Sequence, residues 1–233
     1  MTIAAAGLIA IAAMSFAAGD KAAPDPAPGV TAKPELMLLT SLPLVFAETF
    51  GLEGGGSPTL AALALHYKVT PIGIADAHTL GGRRLLLMAH PRAQTAEALV
   101  DLDRWVRNGG RLLLLADPML EWPSERQLGD PLRPPPGFAD TGLLAHWGLR
   151  LDAPDERGLQ PRALGGFAIL TNSPGALFGQ CAISGDRLVA HCRIGHGQAT
   201  VVADADFLDA DRLGQPTATN LKALLAELAA LVR

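Results

Sequence analysis

The stretch RLLLMAHPRAQTAEALVDLDRWVRNGGRLLLLADP, Arg84 to Pro118, decides the fold. It begins and ends on short Leu-rich runs, Arg84–Ala89 and Arg111–Ala116, of the kind found in strands covered on both faces. Between them Ala98, Leu99, Leu102, Trp105 and Val106 recur at helical spacing, while Glu97, Asp101 and Arg104 take the opposite face. Asn108-Gly109-Gly110 stops that helix. The stretch therefore reads as strand, helix, strand within about 30 residues, the length of a βαβ unit. A parallel sheet with right-handed crossovers is the expected outcome.

Working outward, Leu36–Leu39 reads as the first strand. Ser57 followed by Pro58 is an N-cap with Pro at the first helical position, and Leu60, Leu63, Ala64 and Tyr67 share one face of the helix it opens. Val69–Ile74 is a weaker strand. Downstream, the prolines scattered from Asp117 to Asp140 require a long loop, and loops of that length in compact domains are lids, binding loops or disordered segments. Thr141–Trp147 reads as a short helix. Cys181–Ser184 and Arg187–Arg193 flank Gly185-Asp186 as a hairpin, Gly195-His196-Gly197 turns into Ala199–Ala203, and Asn220–Val232 closes the chain as an amphipathic helix. No internal repeat is present.

The chain has 233 residues, of which 49% are hydrophobic and 18% charged, with a formal net charge of -4. That composition fills a core and, with no run of Lys or Arg, offers no footprint for a nucleic-acid backbone. The apolar residues are unevenly spread. Ile3–Gly19 (IAAAGLIAIAAMSFAAG) carries no charge, and its length and flanks fit both an uncleaved anchor and a secretory signal. Lys21–Lys33 is Pro- and Ala-rich, like a tether. The expected organisation is a membrane anchor or signal over 1–19, a tether over 20–34 and a single α/β domain over 35–233.

In an open α/β sheet, ligands bind beyond the carboxyl ends of the strands. Thr40, Ser41, His90, Asp117 and Asp204 all follow strands and are the candidates for such a crevice. The alternative for each acid is capping of the next helix or bracing of its loop. Trp122, in the Pro-rich loop, either anchors a partner or pins the loop to the domain. Asp117-Pro118 follows the best central strand, where an acyl-transfer enzyme would place its nucleophile elbow, which argues against catalysis of that kind. Cys181 and Cys192 share a face of the expected hairpin, and a disulfide or two buried thiols are both open. No metal-ligand spacing and no cofactor motif emerges.

Three segments together carry a resemblance: DLDRWVRNGGRLLLLADP (Asp101–Pro118), AHP (Ala89–Pro91) and GHGQATVVADADFL (Gly195–Leu208). They resemble the auxiliary extracytoplasmic domain of the gliding-motility type of uncharacterised ABC transport systems, within the class I glutamine-amidotransferase-like, flavodoxin-like fold group. The resemblance implies a three-layer αβα domain with a mostly parallel sheet, to which the C-terminal β-hairpin is an addition. It also implies a non-catalytic binding component, held at the inner membrane with its domain in the periplasm, or released there after cleavage, beside a permease and an ATPase. Two alternatives stand beside it. One is a degenerate or unusual amidotransferase-like hydrolase using His90, Asp117 and Asp204, and the other is a structural scaffold.

Overall fold

Alternation of side chains along the central strands explains the architecture. In β1 (Glu35–Thr40), β3 (Leu85–Ala89) and β4 (Arg111–Leu115), Leu36, Leu38, Leu85, Leu87, Leu113 and Leu115 enter one core cluster. Their neighbours Met37, Leu39, Leu86, Met88, Leu112 and Leu114 enter the other, as a side-chain period of two requires. Strands apolar on both faces need cover on both. Leu63 of α1 (Pro58–His66) with Leu224, Leu228 and Leu231 of α5 (Thr217–Leu231) cover the first face. Leu80 of α2 (Ala77–Leu80) with Leu102 and Val106 of α3 (Ala96–Arg107) cover the second. Each fully buried Leu contributes roughly 2 kcal/mol of transfer free energy.

The structure is a computed structural model that describes residues 33–46, 57–209, 213 and 217–233. The expected membrane anchor or signal over 1–19 and most of the expected tether over 20–34 lie outside the described residues. Lys33–Arg233 forms one compact unit. It is a mixed α/β structure with a mostly parallel seven-stranded sheet. With β2 (Lys68–Pro71), β9 (Ala182–Ile183), β10 (Val189–Ile194) and β11 (Gly197–Val202), the strand order is β2-β1-β3-β4-β11-β10-β9. The first five are mutually parallel, and β10 and β9 add antiparallel at one edge. The chain moves from β1 outward to β2 and then returns to place β3 on the other side of β1, so its direction of winding reverses between β1 and β3.

Local chemistry sets the boundaries. Ser57 accepts the Leu60 N–H and Pro58 opens α1, while Thr95 caps α3 through the Ala98 N–H. Gly109 has φ +105, and at Gly110 a Cβ would stand 2.4 Å from the Trp105 ring. The Gly-Gly pair therefore both ends α3 and lets Trp105 fold under the chain, where its indole N–H donates to the Arg83 carbonyl at 2.9 Å.

Between β4 and β10 lie elements with no counterpart in the sequence reading. After the short helix α4 (Leu143–His146), β5 (Leu149–Asp152) pairs antiparallel with β8 (Ala176–Gly179), and β6 (Leu159–Leu164) pairs with β7 (Phe167–Asn172). Gly165 and Gly166, both at positive φ, make the β6–β7 turn. The hairpin register also differs from expectation. A two-residue Gly185-Asp186 turn would set Ser184 opposite Arg187, but Ile183 pairs with Ala190 and Ala182 with His191. The turn is longer because Asp186 builds it, accepting from the Ser184 hydroxyl and the Leu188 N–H. Cys181 then faces Cys192 directly, and the two are joined in a disulfide with Cα atoms 4.8 Å apart.

Candidate functional site

Because β1, β3, β4 and β11 are parallel, the residues that follow them meet at one edge of the sheet. Thr40 donates its hydroxyl to the Ala89 carbonyl and Ser41 to the His90 carbonyl, so both hydroxyls brace the crossover between β1 and β3. His90 is fully buried and holds a left-handed backbone, φ 46, with its N–H on the Leu115 carbonyl. A positive φ at a non-glycine residue is held in place only by its surroundings. Its Nε2 stands 2.9 Å from the Pro135 carbonyl. A carbonyl only accepts, so Nε2 carries the hydrogen and Nδ1, buried and without a partner, is bare. Burial pushes the imidazole down to about 4, which keeps it neutral.

Asp117 and Asp204 meet in a second, acidic group. Asp117 is fully buried and accepts the N–H of Met119 at 2.8 Å and of Ala205 at 3.0 Å. Asp204 is fully buried, accepts the Thr171 hydroxyl at 2.5 Å and the Phe207 N–H at 3.1 Å, and keeps its Oδ2 without a partner. Burial raises Asp117 to about 6, with the Glu121 charge adding to it. Burial, then the Asp117 and Asp206 charges, raise Asp204 well above the ordinary carboxylate range, so Asp204 is the member that holds a proton. Glu121 accepts from Asn172 Nδ2 and Ser173 Oγ, each at 2.6 Å, and gives its N–H to Asp206 at 2.8 Å. The start of the Pro-rich loop is thereby tied to the end of β7.

These acids work as braces. The Asp204 bond to Phe207 opens the short 3-10 turn Asp206–Leu208, and the Asp117 bond to Met119 is an Asx-type turn. No hydrogen bond joins His90 to either acid among the described residues, so a His–Asp relay is not formed. Nor, among the described residues, do three His, Cys, Asp or Glu side chains group as metal ligands.

Trp122 does two things. With Leu120 it packs against the first core cluster, and both line a cavity of about 360 Å³ under the Pro-rich loop. Arg92, Ser124, Asp130 and Arg133 supply its polar wall, and Pro131 and Pro134–Pro136 most of the rest. The His90 bond to Pro135 clamps this loop to the end of β3, and Arg92 Nη2 clamps it again through the Arg133 carbonyl at 2.7 Å. Of the residues singled out from sequence, Asp117 and Asp204 come together, Ser41 and His90 come together, and Trp122 lines the cavity. Arg92, Arg133, Glu121, the β7 residues Thr171 and Asn172, and Ser173 just after them were not anticipated. The Gly165-Gly166 turn between two apolar runs was the one signal that pointed towards β7.

No family model and no curated protein matches the chain. Among solved structures, a cytoplasmic protein from Salmonella typhimurium is similar with a TM-score of 0.54 at 10% identity, covering 84% of this chain and 98% of that one. An exo-β-1,4-mannosidase from Opitutaceae bacterium strain TAV5 is similar with a TM-score of 0.50 at 14% identity over 84% of this chain. A cold-adapted β-galactosidase from Rahnella sp. R3 has a TM-score of 0.49 at 14% identity over 86% of this chain. The chain spans 36% of the length of the mannosidase and 32% of that of the β-galactosidase. At such identities the likeness is one of fold.

These neighbours correct several expectations. The mannosidase and the cytoplasmic protein are neither transport auxiliaries nor amidotransferases, so the resemblance to an ABC-system auxiliary domain does not stand. The non-catalytic transport component goes with it, and so does the expectation of a chain that is no enzyme, since the mannosidase is a hydrolase. The permease and ATPase partners rested on that resemblance alone and are not carried forward. Periplasmic placement on an inner-membrane anchor is likewise withdrawn. The neighbour matched over nearly its full length is described as cytoplasmic, and among the described residues no helix is long and apolar enough to cross a membrane.

Proposed function

We propose that this chain is a hydrolase of flavodoxin-like, doubly wound architecture that holds a sugar-sized polar substrate in the cavity under the Pro-rich loop. The five parallel strands, numbered in chain order among themselves, run 2-1-3-4-5, the order of that fold group. The reversal between β1 and β3 puts the ligand end of such a sheet at Ser41, His90 and the loop that His90 clamps. One observation carries the reading: a cavity of about 360 Å³ at that end, in which an indole, Trp122, stands with Arg92, Ser124, Asp130 and Arg133. That volume suits a small ligand, and an aromatic face with a few polar groups suits a ring bearing hydroxyls.

Hydrolysis needs a group that moves a proton at the bond to be broken. Asp117, Asp204 and Asp206 are sealed in the interior and Glu121 turns back to Asn172 and Ser173, whereas Asp130 is half-buried on the cavity wall. Asp130 is therefore the acid for that role, oriented by the Leu132 N–H. The test is ligand-observed NMR over a panel of mono- and disaccharides, paired with release of nitrophenol from aryl glycosides. Binding that Trp122→Ala abolishes, with turnover that Asp130→Asn abolishes while binding persists, is the expected result. A panel without a single binder overturns the proposal.

A further inference from the structure

We propose that the substrate of this cavity carries an anionic group, a carboxylate or a phosphate, which Arg92 and Arg133 receive. The inference rests on the cavity being the ligand site and specifies what it selects. The prolines contribute no N–H. Six of the wall's carbonyls are engaged: Pro135 by His90 Nε2, Pro136 by the Leu120 N–H, Arg133 by Arg92 Nη2, Ser124 by Arg133 Nη1, Asp130 by the Arg133 N–H and Arg92 by Gln94 Nε2. The lining acid, Asp130, accepts the Leu132 N–H on one oxygen and faces Arg126 at 3.6 Å with the other.

The donors are in the opposite state. Arg92 spends only Nη2, and Arg133 spends only Nη1, on the carbonyls of Ser124 and Arg126. Neither guanidinium is within ion-pair distance of a carboxylate among the described residues. A guanidinium has five N–H donors in a planar fork, so both keep free edges and an unneutralised charge. A neutral sugar needs acceptors for its hydroxyl hydrogens as much as donors for its oxygens. The two guanidinium edges offer only donors, and carboxylate and phosphate oxygens, which only accept, match them, with charge-assisted bonds roughly twice as strong as neutral ones. The position is also prepared in advance, because the His90–Pro135 and Arg92–Arg133 bonds fix the loop against the sheet before any ligand arrives.

The experiment is calorimetric titration of the full chain with glucose, glucuronate, glucose 6-phosphate and inorganic phosphate, repeated at raised salt. Glucuronate or glucose 6-phosphate should bind at least about tenfold more tightly than glucose and weaken with salt, as exposed ion pairing does. Preference between the two tells a carboxylate ligand from a phosphate ligand, and either result supports the inference. Arg92→Ala, at an exposed position, should lower the affinity about tenfold with at most a small fall in melting temperature, and Arg104→Ala on α3 should leave the affinity unchanged. Should Arg133→Ala unfold the loop it helps to hold, Arg92→Glu provides the second reading of charge. Glucose binding as tightly as its acidic derivatives overturns the anionic preference and leaves the cavity as ligand site. Binding that neither arginine variant nor Trp122→Ala alters, or no binding at all, overturns the cavity itself.

Discussion

The segment Asp117–Trp122 separates two regions of opposite character at one edge of the sheet. Behind it, Asp117, Asp204 and Asp206 are sealed with Thr171 among backbone amides. In front, Arg92 and Arg133 stand at an open cavity under a loop of prolines. Neighbouring residues of the segment divide between the two, Leu120 and Trp122 lining the cavity and Glu121 reaching back to Asn172 and Ser173. A buried carboxylate that satisfies backbone N–H groups is structure, however much its residue type suggests chemistry, whereas an arginine with unspent donors at a cavity is available to a ligand. The two regions should therefore respond oppositely to substitution, the rear in stability and the front in binding.

The largest expected effect is at the rear. Asp117→Ala leaves the buried N–H groups of Met119 and Ala205 without an acceptor and opens a small void, which should cost about 2–4 kcal/mol in urea unfolding. A loss under about 0.5 kcal/mol would mean that Asp117 is not a brace and would erase the contrast.

His90 comes next, because its titration opposes that of the acids. The unfolded chain takes up a proton on His90 near pH 6.5, the folded chain only near 4, so folded stability falls as pH drops across that window. Asp117, held up at about 6, keeps a proton that the unfolded chain releases above pH 3.8, so its contribution falls as pH rises from 3.8 to 6. Between pH 4 and 6 the two offset each other. His90→Asn, which tolerates the left-handed backbone and does not titrate, should therefore remove about 1–3 kcal/mol of acid-induced loss between pH 6.5 and 4. The check is unfolding free energy against pH for both proteins. Parallel curves would show that His90 does not carry the shift.

How much of this was legible depended on where the information lies. The βαβ unit from β3 to β4 could be read because Leu85–Ala89 and Arg111–Leu115 are apolar at every position and α3 is apolar on one face only, so period alone identifies them. β6 could not, because its pattern LQPRAL interrupts a half-exposed strand with Pro161 and Arg162. The hairpin was visible and its register was not. A side-chain acceptor, Asp186, sets the turn there, and a two-residue Gly-Asp rule places every partner two positions off. At the site, strand-end position brought Asp117, Asp204, His90 and Ser41 to notice, since topology alone takes them to one edge. Arg92 and Arg133 carry no such mark. What makes them notable is which carbonyls other residues have already taken, and that is a property of the folded loop.

The smallest expected effect on stability separates the two acids from each other. Asp204 is the protonated member, so Asp204→Asn is close to a replacement of like by like. The amide oxygen still accepts from Thr171 and the Phe207 N–H, and the amide N–H takes the place of the carboxyl O–H. At pH 7 the variant should lie within about 1 kcal/mol of the parent, far less than Asp117→Ala, and it can be the more stable of the two because a raised carboxyl pKa is itself a cost of folding that grows with pH. With Asp204 held above the ordinary carboxylate range by burial, the parent should lose more stability with rising pH than the Asn variant does. Urea unfolding of the pair at pH 6 and pH 8 decides it. A loss at pH 7 as large as that of Asp117→Ala would mean that Asp204 is ionised in the folded chain, and that a cation-binding acidic group, and not a proton-holding brace, stands behind the loop.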